Sequence, residues 1–104
     1  MLQGSINNIG ELVIVLKEHN DNDVLQCVTL QNKTEFNFLD DELVSIVFPK
    51  FHEHYPYGPC NENTIVDVKD ISINHQNILI VNLNIGGYDL SLTVDVSLFE
   101  NRNI

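Results

Sequence analysis

The chain has 104 residues, of which 43% are hydrophobic and 19% are charged, and its formal net charge is −10. So short a chain forms one domain over residues 1–104, because two halves could not each bury a useful core, and its composition excludes both a disordered chain and a helical membrane protein. Five cationic residues scattered along the sequence cannot form the basic surface that tracks nucleic-acid phosphates, so nucleic acid is not the direct partner.

The N-terminal half of the chain predicts strands. Ile and Val together outnumber Leu almost two to one, and Ala, the best helix former, is absent. Residues 11–17 and 24–30 flank a polar turn and are typical of a hairpin. Residues 5–18 also carry an apolar stripe with helical spacing, but the β-branched run of Val13, Ile14 and Val15 favours strands in this segment.

An acidic segment in the middle of the chain predicts a short helix over residues 40–48. Asp40 is a good N-cap residue, and Asp41 and Glu42 would stabilise the first helical turn before an apolar run that a proline ends. We expect this helix to cover the sheet. Residues 49–63, with three prolines and several aromatic side chains, then predict an irregular loop of a length typical of functional loops.

The C-terminal part of the chain predicts a hairpin with a two-residue Gly86-Gly87 turn. Apolar and polar residues alternate on both sides of the turn, and one register pairs apolar with apolar and polar with polar residues. An upstream strand with a bulge near Lys69-Asp70 would extend the hairpin into a meander. The predicted pairs are Ile85 with Tyr88, Leu83 with Leu90, Val81 with Leu92, Leu79 with Val94, Asn84 with Asp89 and Asn82 with Ser91.

The fold class that follows is mainly β, with α+β as the alternative. We expect an antiparallel sheet that ends in a C-terminal meander or hairpin, covered by the one short helix near residues 40–48.

Two histidines are the most reactive-looking residues of the chain. On an extended segment His52 and His54 would face the same side and could hold a transition metal. Zinc sites need three or four protein ligands, and no spacing in the sequence brings a third ligand near this pair. The motifs of serine hydrolases, zinc proteases and nucleotide-binding loops are also missing. We therefore expect no metal, no cofactor and no catalysis, with a small metal-dependent enzyme using His52 and His54 as the alternative.

The expected cellular location is the cytoplasm. No cationic region precedes the first apolar run, as a secretion signal would require, and no apolar run approaches the roughly 18 to 20 residues that span a bilayer. Cys27 and Cys60 match no C-x-x-C pattern and are expected to be reduced thiols.

Two segments carry a resemblance to a known class of protein. The turn Asn74-His75-Gln76-Asn77, preceded by residues 68–73, is similar to an Asn-His-Gln-Asn step, and residues 48–53 resemble an aromatic-Pro-Ser-Phe-His-Asp segment. Both steps belong to a group of immunity proteins from bacterial polymorphic-toxin and contact-dependent inhibition systems. The resemblance implies a small cytoplasmic protein that neutralises a toxin domain by binding and occluding it.

The acidic charge favours a basic protein as the partner, because complementary fields accelerate association and fix its orientation. A basic toxin domain such as a nuclease fits this expectation, and a phage-type inhibitor that mimics nucleic-acid charge is the alternative. A charged rim beside exposed aromatic residues is the usual anatomy of a specific interface. The predicted interface comprises Asp40, Asp41, Glu42, Glu53, Tyr55, Tyr57 and Glu62.

Overall fold

The computed structural model describes residues 2–30 and 33–97 and is mainly β, as the composition predicts. Its elements form two antiparallel sheets and one short helix. No helix within these two ranges has the length and apolar character needed to cross a membrane. The elements are β1 (Gln3–Ile6), β2 (Leu12–Val15), β3 (Gln26–Thr29), β4 (Glu35–Leu39), β5 (Glu42–Phe48), α1 (Phe51–His54), β6 (Val66–Ile73), β7 (Ile78–Ile85) and β8 (Tyr88–Asp95).

The five-stranded sheet has the strand order β1-β2-β5-β4-β3, with every neighbouring pair antiparallel. One row of paired residues crosses all five strands on the side that faces the core, and it begins with a glycine at the β1 edge. The side chains of this row alternate along their strands with residues that point to the outer face, as the period of a strand requires. The row consists of Gly4, Ile14, Ile46, Phe36 and Val28.

The three-stranded sheet is the meander β6-β7-β8, and its hairpin register is the predicted one at all six pairs. The register between β6 and β7 shifts between Val68 and Asp70, which confirms the predicted bulge. Asn74 closes the turn between these strands, because its side-chain oxygen accepts hydrogen bonds from the backbone N–H groups of Gln76 and Ile78 at 2.9 and 3.0 Å. The turn therefore needs Asn74 for its geometry.

The two sheets face each other across one hydrophobic core. Their edges come closest at β1 and β6, where a Cβ atom added to Gly4 would lie 2.6 Å from Val66 Cγ1 and 2.8 Å from Val68 Cγ2. Only a residue without a side chain allows this approach. The fully buried side chains at the centre of the core are Leu12, Ile14, Phe36, Phe38, Ile46, Leu79, Val81, Leu83 and Ile85.

The prediction of a helix over residues 40–48 is wrong, because Glu42–Phe48 is strand β5 in the middle of the five-stranded sheet. Asp40 and Asp41 have φ angles of 52° and 65° and form the two-residue turn between β4 and β5. Acidic residues tolerate this left-handed conformation, so the same sequence signal serves a helix start or a tight hairpin. β5 has a hydrogen-bonded strand on each side. Ser45 and Ile46 are neighbours that point to opposite faces and are both buried, as expected for a strand in the middle of a sheet.

The predicted pairing of residues 11–17 with 24–30 is also wrong, although both segments contain strands as expected. β2 pairs with β1 and β5, and β3 pairs with β4, so no hairpin joins the two segments. The β-branched β5 is apolar on both faces and occupies the central position between β2 and β4. Residues 5–18 form strands rather than a helix, as the β-branched run predicts.

Substitution of Gly87 by valine should destabilise the fold by about 1–3 kcal/mol. Gly86 and Gly87 have φ angles of 59° and 93°, a conformation that a β-branched residue resists. A Cβ atom at Gly87 would meet no atom within 4 Å, so the cost comes from the backbone alone. Denaturant unfolding measures it, with Gly87→Asn as the milder control because Asn tolerates a positive φ. Unchanged midpoints for both Gly86→Val and Gly87→Val would contradict the observed turn.

Substitution of Gly4 by alanine should also destabilise the fold by about 1–3 kcal/mol, because the new methyl group overpacks the contact between β1 and β6. The φ angle of Gly4 lies outside the left-handed region, so the effect is steric. In a double-mutant cycle, Val66→Ala should recover part of the loss. Ser5→Ala, at the neighbouring outward-facing position of β1, is the control. Equal unfolding midpoints for Gly4→Ala and wild type would argue against a tight contact here.

Candidate protein interface

The loop between the two sheets is held in place by one helical turn. Phe51, the first residue of α1, is 4% exposed and packs in the core, while the rest of the turn is exposed. The backbone N–H of Tyr55 donates a 3.0 Å hydrogen bond to the Phe51 carbonyl oxygen and ends the turn. The buried ring of Phe51 thus fixes the position from which Tyr55 and the following residues leave the core.

Tyr55 attaches this loop to the C-terminal hairpin. Its hydroxyl donates a 2.6 Å hydrogen bond to the carbonyl oxygen of Ile85, the last residue before the Gly86-Gly87 turn. The ring of Tyr55 also contacts Phe51, with ring centroids 6.0 Å apart. Burial raises the pKa of the Tyr55 phenol, so the donor stays protonated over the physiological pH range.

Two further tyrosines stack on each other beside Tyr55. Tyr57 and Tyr88 have ring centroids 4.4 Å apart and planes inclined by 7°, and Tyr55 meets Tyr57 edge-on at 5.7 Å. Tyr57 and Tyr88 are 49% and 50% exposed. They come from a loop and from the first residue of β8, so the fold brings together rings that are 31 positions apart in the sequence.

The stacked rings border a shallow depression of about 550 Å³. Ile65, which is 78% exposed, and Pro59 line the same depression. We call Tyr57, Pro59, Ile65 and Tyr88 together the tyrosine surface. Exposed apolar residues that lie together make this surface a candidate interface, and tyrosine is enriched in protein interfaces because it offers a large contact area for little side-chain entropy.

The outer face of the three-stranded sheet is polar near the Gly86-Gly87 turn, where three aspartates outnumber the neighbouring Lys69. Asp67, Asn84 and Asp89 form one row across its strands, and Asp70, Asn82 and Ser91 form the next. Amide and hydroxyl groups link neighbouring residues within each row, since Asn82 Nδ2 donates to Asp70 Oδ1 at 2.8 Å, Asn84 Nδ2 to Asp89 Oδ1 at 3.1 Å and Ser91 Oγ to Asn82 Oδ1 at 2.6 Å. We call these six residues the polar face.

The predicted interface residues do not form one surface. Asp40 and Asp41 form the turn before β5 and Glu42 is its first residue, and the length of this seven-residue strand places Glu42 roughly 20 Å from Phe48, where the loop with the tyrosines begins. Glu42 also forms a 2.9 Å ion pair with Lys17. The acidic turn and the tyrosines are therefore separate features of the molecule.

The remaining predicted residues lie around the loop. Tyr55 is half-buried and anchors the loop, and Tyr57 is part of the tyrosine surface. Glu53 is exposed on α1. Glu62 lines a different depression of about 270 Å³, next to Gly10 and His52.

Of the five cationic residues counted in the sequence, Arg102 lies outside the described residues.

Sequence reasoning did not single out Ile65, Tyr88 and the polar face as candidate interface residues. The alternation around Gly86-Gly87 already placed Asn82 and Asn84 on one polar face, and that pattern could have identified the face as a surface. The contact between Tyr57 and Tyr88 carries no local signal, because the two residues meet only after the loop folds back onto the hairpin.

The expectation that His52 and His54 face the same side is wrong, because both lie in the helical turn α1, where residues two apart point in nearly opposite directions. His52 Nδ1 lies 3.2 Å from the Gly10 carbonyl oxygen. Within residues 2–30 and 33–97 no group of three or more His, Cys, Asp or Glu side chains could hold a metal ion.

Neither cysteine is paired in the structure. Cys27 is exposed on β3, an edge strand of its sheet, whereas Cys60 is buried, and burial raises the pKa of its thiol. A protonated, enclosed thiol is a poor nucleophile, so Cys60 is a packing residue.

Comparisons with protein-family models, with curated proteins and with solved structures found no match to this chain. The function therefore has to be inferred from the surfaces themselves. The tyrosine surface and the first row of the polar face lie at the same end of the three-stranded sheet, because the row of Asp67, Asn84 and Asp89 directly follows the row of Val66, Ile85 and Tyr88 in the register.

Removal of the Tyr55 hydroxyl should destabilise the fold, because Tyr55→Phe leaves the Ile85 carbonyl without its donor at a cost of about 0.5–1.5 kcal/mol. Tyr57→Phe is the matched control, since no hydrogen bond of the Tyr57 hydroxyl is found among the described residues. The raised pKa of Tyr55 adds a pH signature. The stability that the protonated Tyr55 hydroxyl contributes is fully present below 10.0, its ordinary pKa. This stability is lost as the pH rises through the higher pKa of the folded state.

Denaturant unfolding of wild type and both variants between pH 7 and pH 11 measures these effects. Wild type should lose its advantage over Tyr55→Phe at the alkaline end. An equal loss of stability in Tyr55→Phe and Tyr57→Phe at pH 7 would contradict the anchoring role of Tyr55.

Proposed function

We propose that this chain is a binding protein, a cytoplasmic immunity protein that neutralises a basic toxin domain by occluding its active or substrate-binding face. The observation that carries the proposal is the stacked pair of exposed tyrosines at the border of an acidic sheet face. An apolar centre beside a charged rim is how specific protein interfaces are built.

The tyrosine surface suits the centre of such an interface. Stacking of Tyr57 on Tyr88 orders both rings before any partner arrives, and Tyr55 fixes the loop that carries Tyr57. Rings that are already ordered lose little entropy on binding, so more of their contact energy becomes affinity. Large aromatic side chains in such positions supply most of the energy of typical interfaces.

The polar face supplies the electrostatic part. Asp67, Asp70 and Asp89 project from a rigid sheet, and hydrogen bonds from Asn82 and Asn84 hold two of these carboxylates in place. A domain that handles nucleic acid must carry cationic groups for phosphates, and an acidic surface competes for those groups. The net charge of −10 favours rapid encounter with such a domain.

The resemblance to immunity proteins supports the same function through residues that shape the fold. Phe51 of the first similar segment packs in the core, and Asn74 of the second one closes a turn. The partner-binding residues lie elsewhere, on the tyrosine surface and the polar face. An interface of this kind must match one particular toxin. In this proposal the residues that shape the fold are therefore different from the residues that determine which toxin is bound.

Binding kinetics against a toxin domain encoded next to this gene test the proposal. Tyr57→Ala should raise the dissociation rate about tenfold or more, because it removes a central aromatic contact. The double reversal of Asp67 and Asp89 to lysine should mainly lower the association rate at low ionic strength, and raising the salt should weaken that difference.

A matched reversal of Glu18 and Asp21 to lysine is the control. It changes the net charge equally in the exposed polar segment after β2, away from the tyrosine surface. If the control lowers the association rate as much as the Asp67 and Asp89 reversal, the acidic charge acts as a whole and the polar face is not the docking site. Absence of binding to any neighbouring toxin domain would refute the proposed function.

A further inference from the structure

The last strand of the three-stranded sheet presents an unpaired edge. β8 is eight residues long and pairs with β7 on one side, and no other strand of the described residues lies beside it. Proteins usually shorten, cover or interrupt such edges, because an open edge is a template for another strand. β8 contains no proline and no bulge, so its outer edge is regular along its whole length.

The register determines which backbone groups face outward from this edge. A two-residue turn makes Ile85 and Tyr88 a hydrogen-bonded pair, and such pairs alternate along an antiparallel ladder. The 2.9 Å hydrogen bond from the Val96 N–H to the Asn77 carbonyl oxygen agrees with this alternation at the far end. The N–H and C=O groups that point away from β7 therefore belong to Asp89, Ser91, Thr93 and Asp95.

An apolar groove runs below this edge on the inner side of the sheet. It has a volume of about 360 Å³, and the half-buried Leu90 and Leu92 of β8 line it together with Phe48, Phe51 and Pro56, while Thr34, His54 and Thr93 add polar groups at its border. Side chains of a strand added beside β8 would alternate between the inner and the outer face. Those that point inward would enter this groove.

The outer side of the same edge is acidic. Asp89 and Asp95 project from β8 on the face opposite the groove, with Ser91 between them, whereas Thr93 has the same place in the alternation but also borders the groove. Residues directly opposite on an added strand would have Cβ atoms about 5 Å away, close enough for lysine or arginine to pair with these carboxylates. The edge therefore selects for a segment that alternates apolar and basic residues.

We infer that β8 accepts an extended, basic segment of the partner protein as a fourth strand of the three-stranded sheet. The choice of a basic partner rests on the proposed function, whereas the mode of binding comes from the edge itself. Tyr88 is both the first residue of β8 and part of the tyrosine surface, so the segment would leave the edge where the tyrosine surface begins. Main-chain hydrogen bonds would supply affinity, and the groove and the carboxylates would supply specificity.

A second copy of this chain is disfavoured in the symmetric register that would pair the whole of β8. Two antiparallel β8 strands paired about Leu92 would place Asp89 of one copy opposite Asp95 of the other, and like charges directly opposite each other are destabilising. The net charge of −10 on each copy adds to that repulsion.

The test uses a synthetic decapeptide of alternating lysine and valine, with blocked ends, and NMR of the full chain. In the free protein the amides of Ser91 and Thr93 should exchange with solvent rapidly and those of Leu90 and Leu92 slowly. The peptide should slow exchange at Ser91 and Thr93. Methylation of the peptide nitrogen at every second residue, on the edge that faces β8, should abolish this protection, while a glutamate–valine peptide should not bind.

Thr93→Pro with Thr93→Ala as its matched control isolates the edge in the protein. Proline removes an N–H that points away from β7, which edge strands tolerate, and alanine keeps the N–H but removes the same side chain. Peptide binding should be about tenfold weaker in Thr93→Pro than in Thr93→Ala, because the two variants differ in the backbone N–H and lack the same side chain. If Thr93→Pro fails to fold, the comparison of the methylated with the unmethylated peptide still tests strand addition.

Three results would overturn the inference. Protected Ser91 and Thr93 amides in the free chain at every protein concentration would mean that the chain itself covers the edge, and protection that grows with concentration would identify a second copy. Binding that survives both the methylation and Thr93→Pro would be ionic contact without strand addition. If the toxin domain binds and these results occur, strand addition fails while the proposed function stands.

Discussion

The close approach of β1 and β6 is the contact on which the two-sheet architecture depends. These strands belong to different sheets, and Gly4 lets Val66 and Val68 pack against the β1 backbone. The remaining contacts between the sheets are interdigitated side chains of one core, which tolerate small adjustments. A side chain at position 4 would separate the sheets at this edge and loosen the packing of the core.

The candidate interface depends on that architecture through the loop that joins the sheets. Phe51 inserts into the core, and Tyr55 binds the carbonyl of Ile85, so the loop is attached to both sheets at once. Tyr57 consequently meets Tyr88 in a fixed stack. The exposed aromatic pair is thus a product of core packing, although neither ring is itself buried.

Much of the fold could be predicted from the sequence wherever the determinants are local. The Gly86-Gly87 hairpin has both a period of two and a turn that fixes the register, and every predicted pair is present. Asp40 and Asp41 led to the wrong prediction of a helix, because aspartate is common both at helix starts and in tight turns. The order of β2, β5 and β4 is set by contacts between distant segments, which a local pattern does not contain. The same limit applies to the interface, where Tyr57 was identified by residue type and Tyr88 was not.

Contacts within the meander and the contact between the two sheets differ in the chain entropy that their formation costs. Each sheet is built from one contiguous segment, and the meander closes only short loops, of two residues at Gly86-Gly87 and four at residues 74–77. The contact of β1 with β6 closes a loop of about sixty residues, and closure entropy grows with the length of the loop. Non-local contacts of this kind raise the contact order of a fold and slow its formation. The absence of a side chain at Gly4 therefore matters at a contact between distant parts of the chain, where any steric cost adds to the entropy that closing so long a loop already takes.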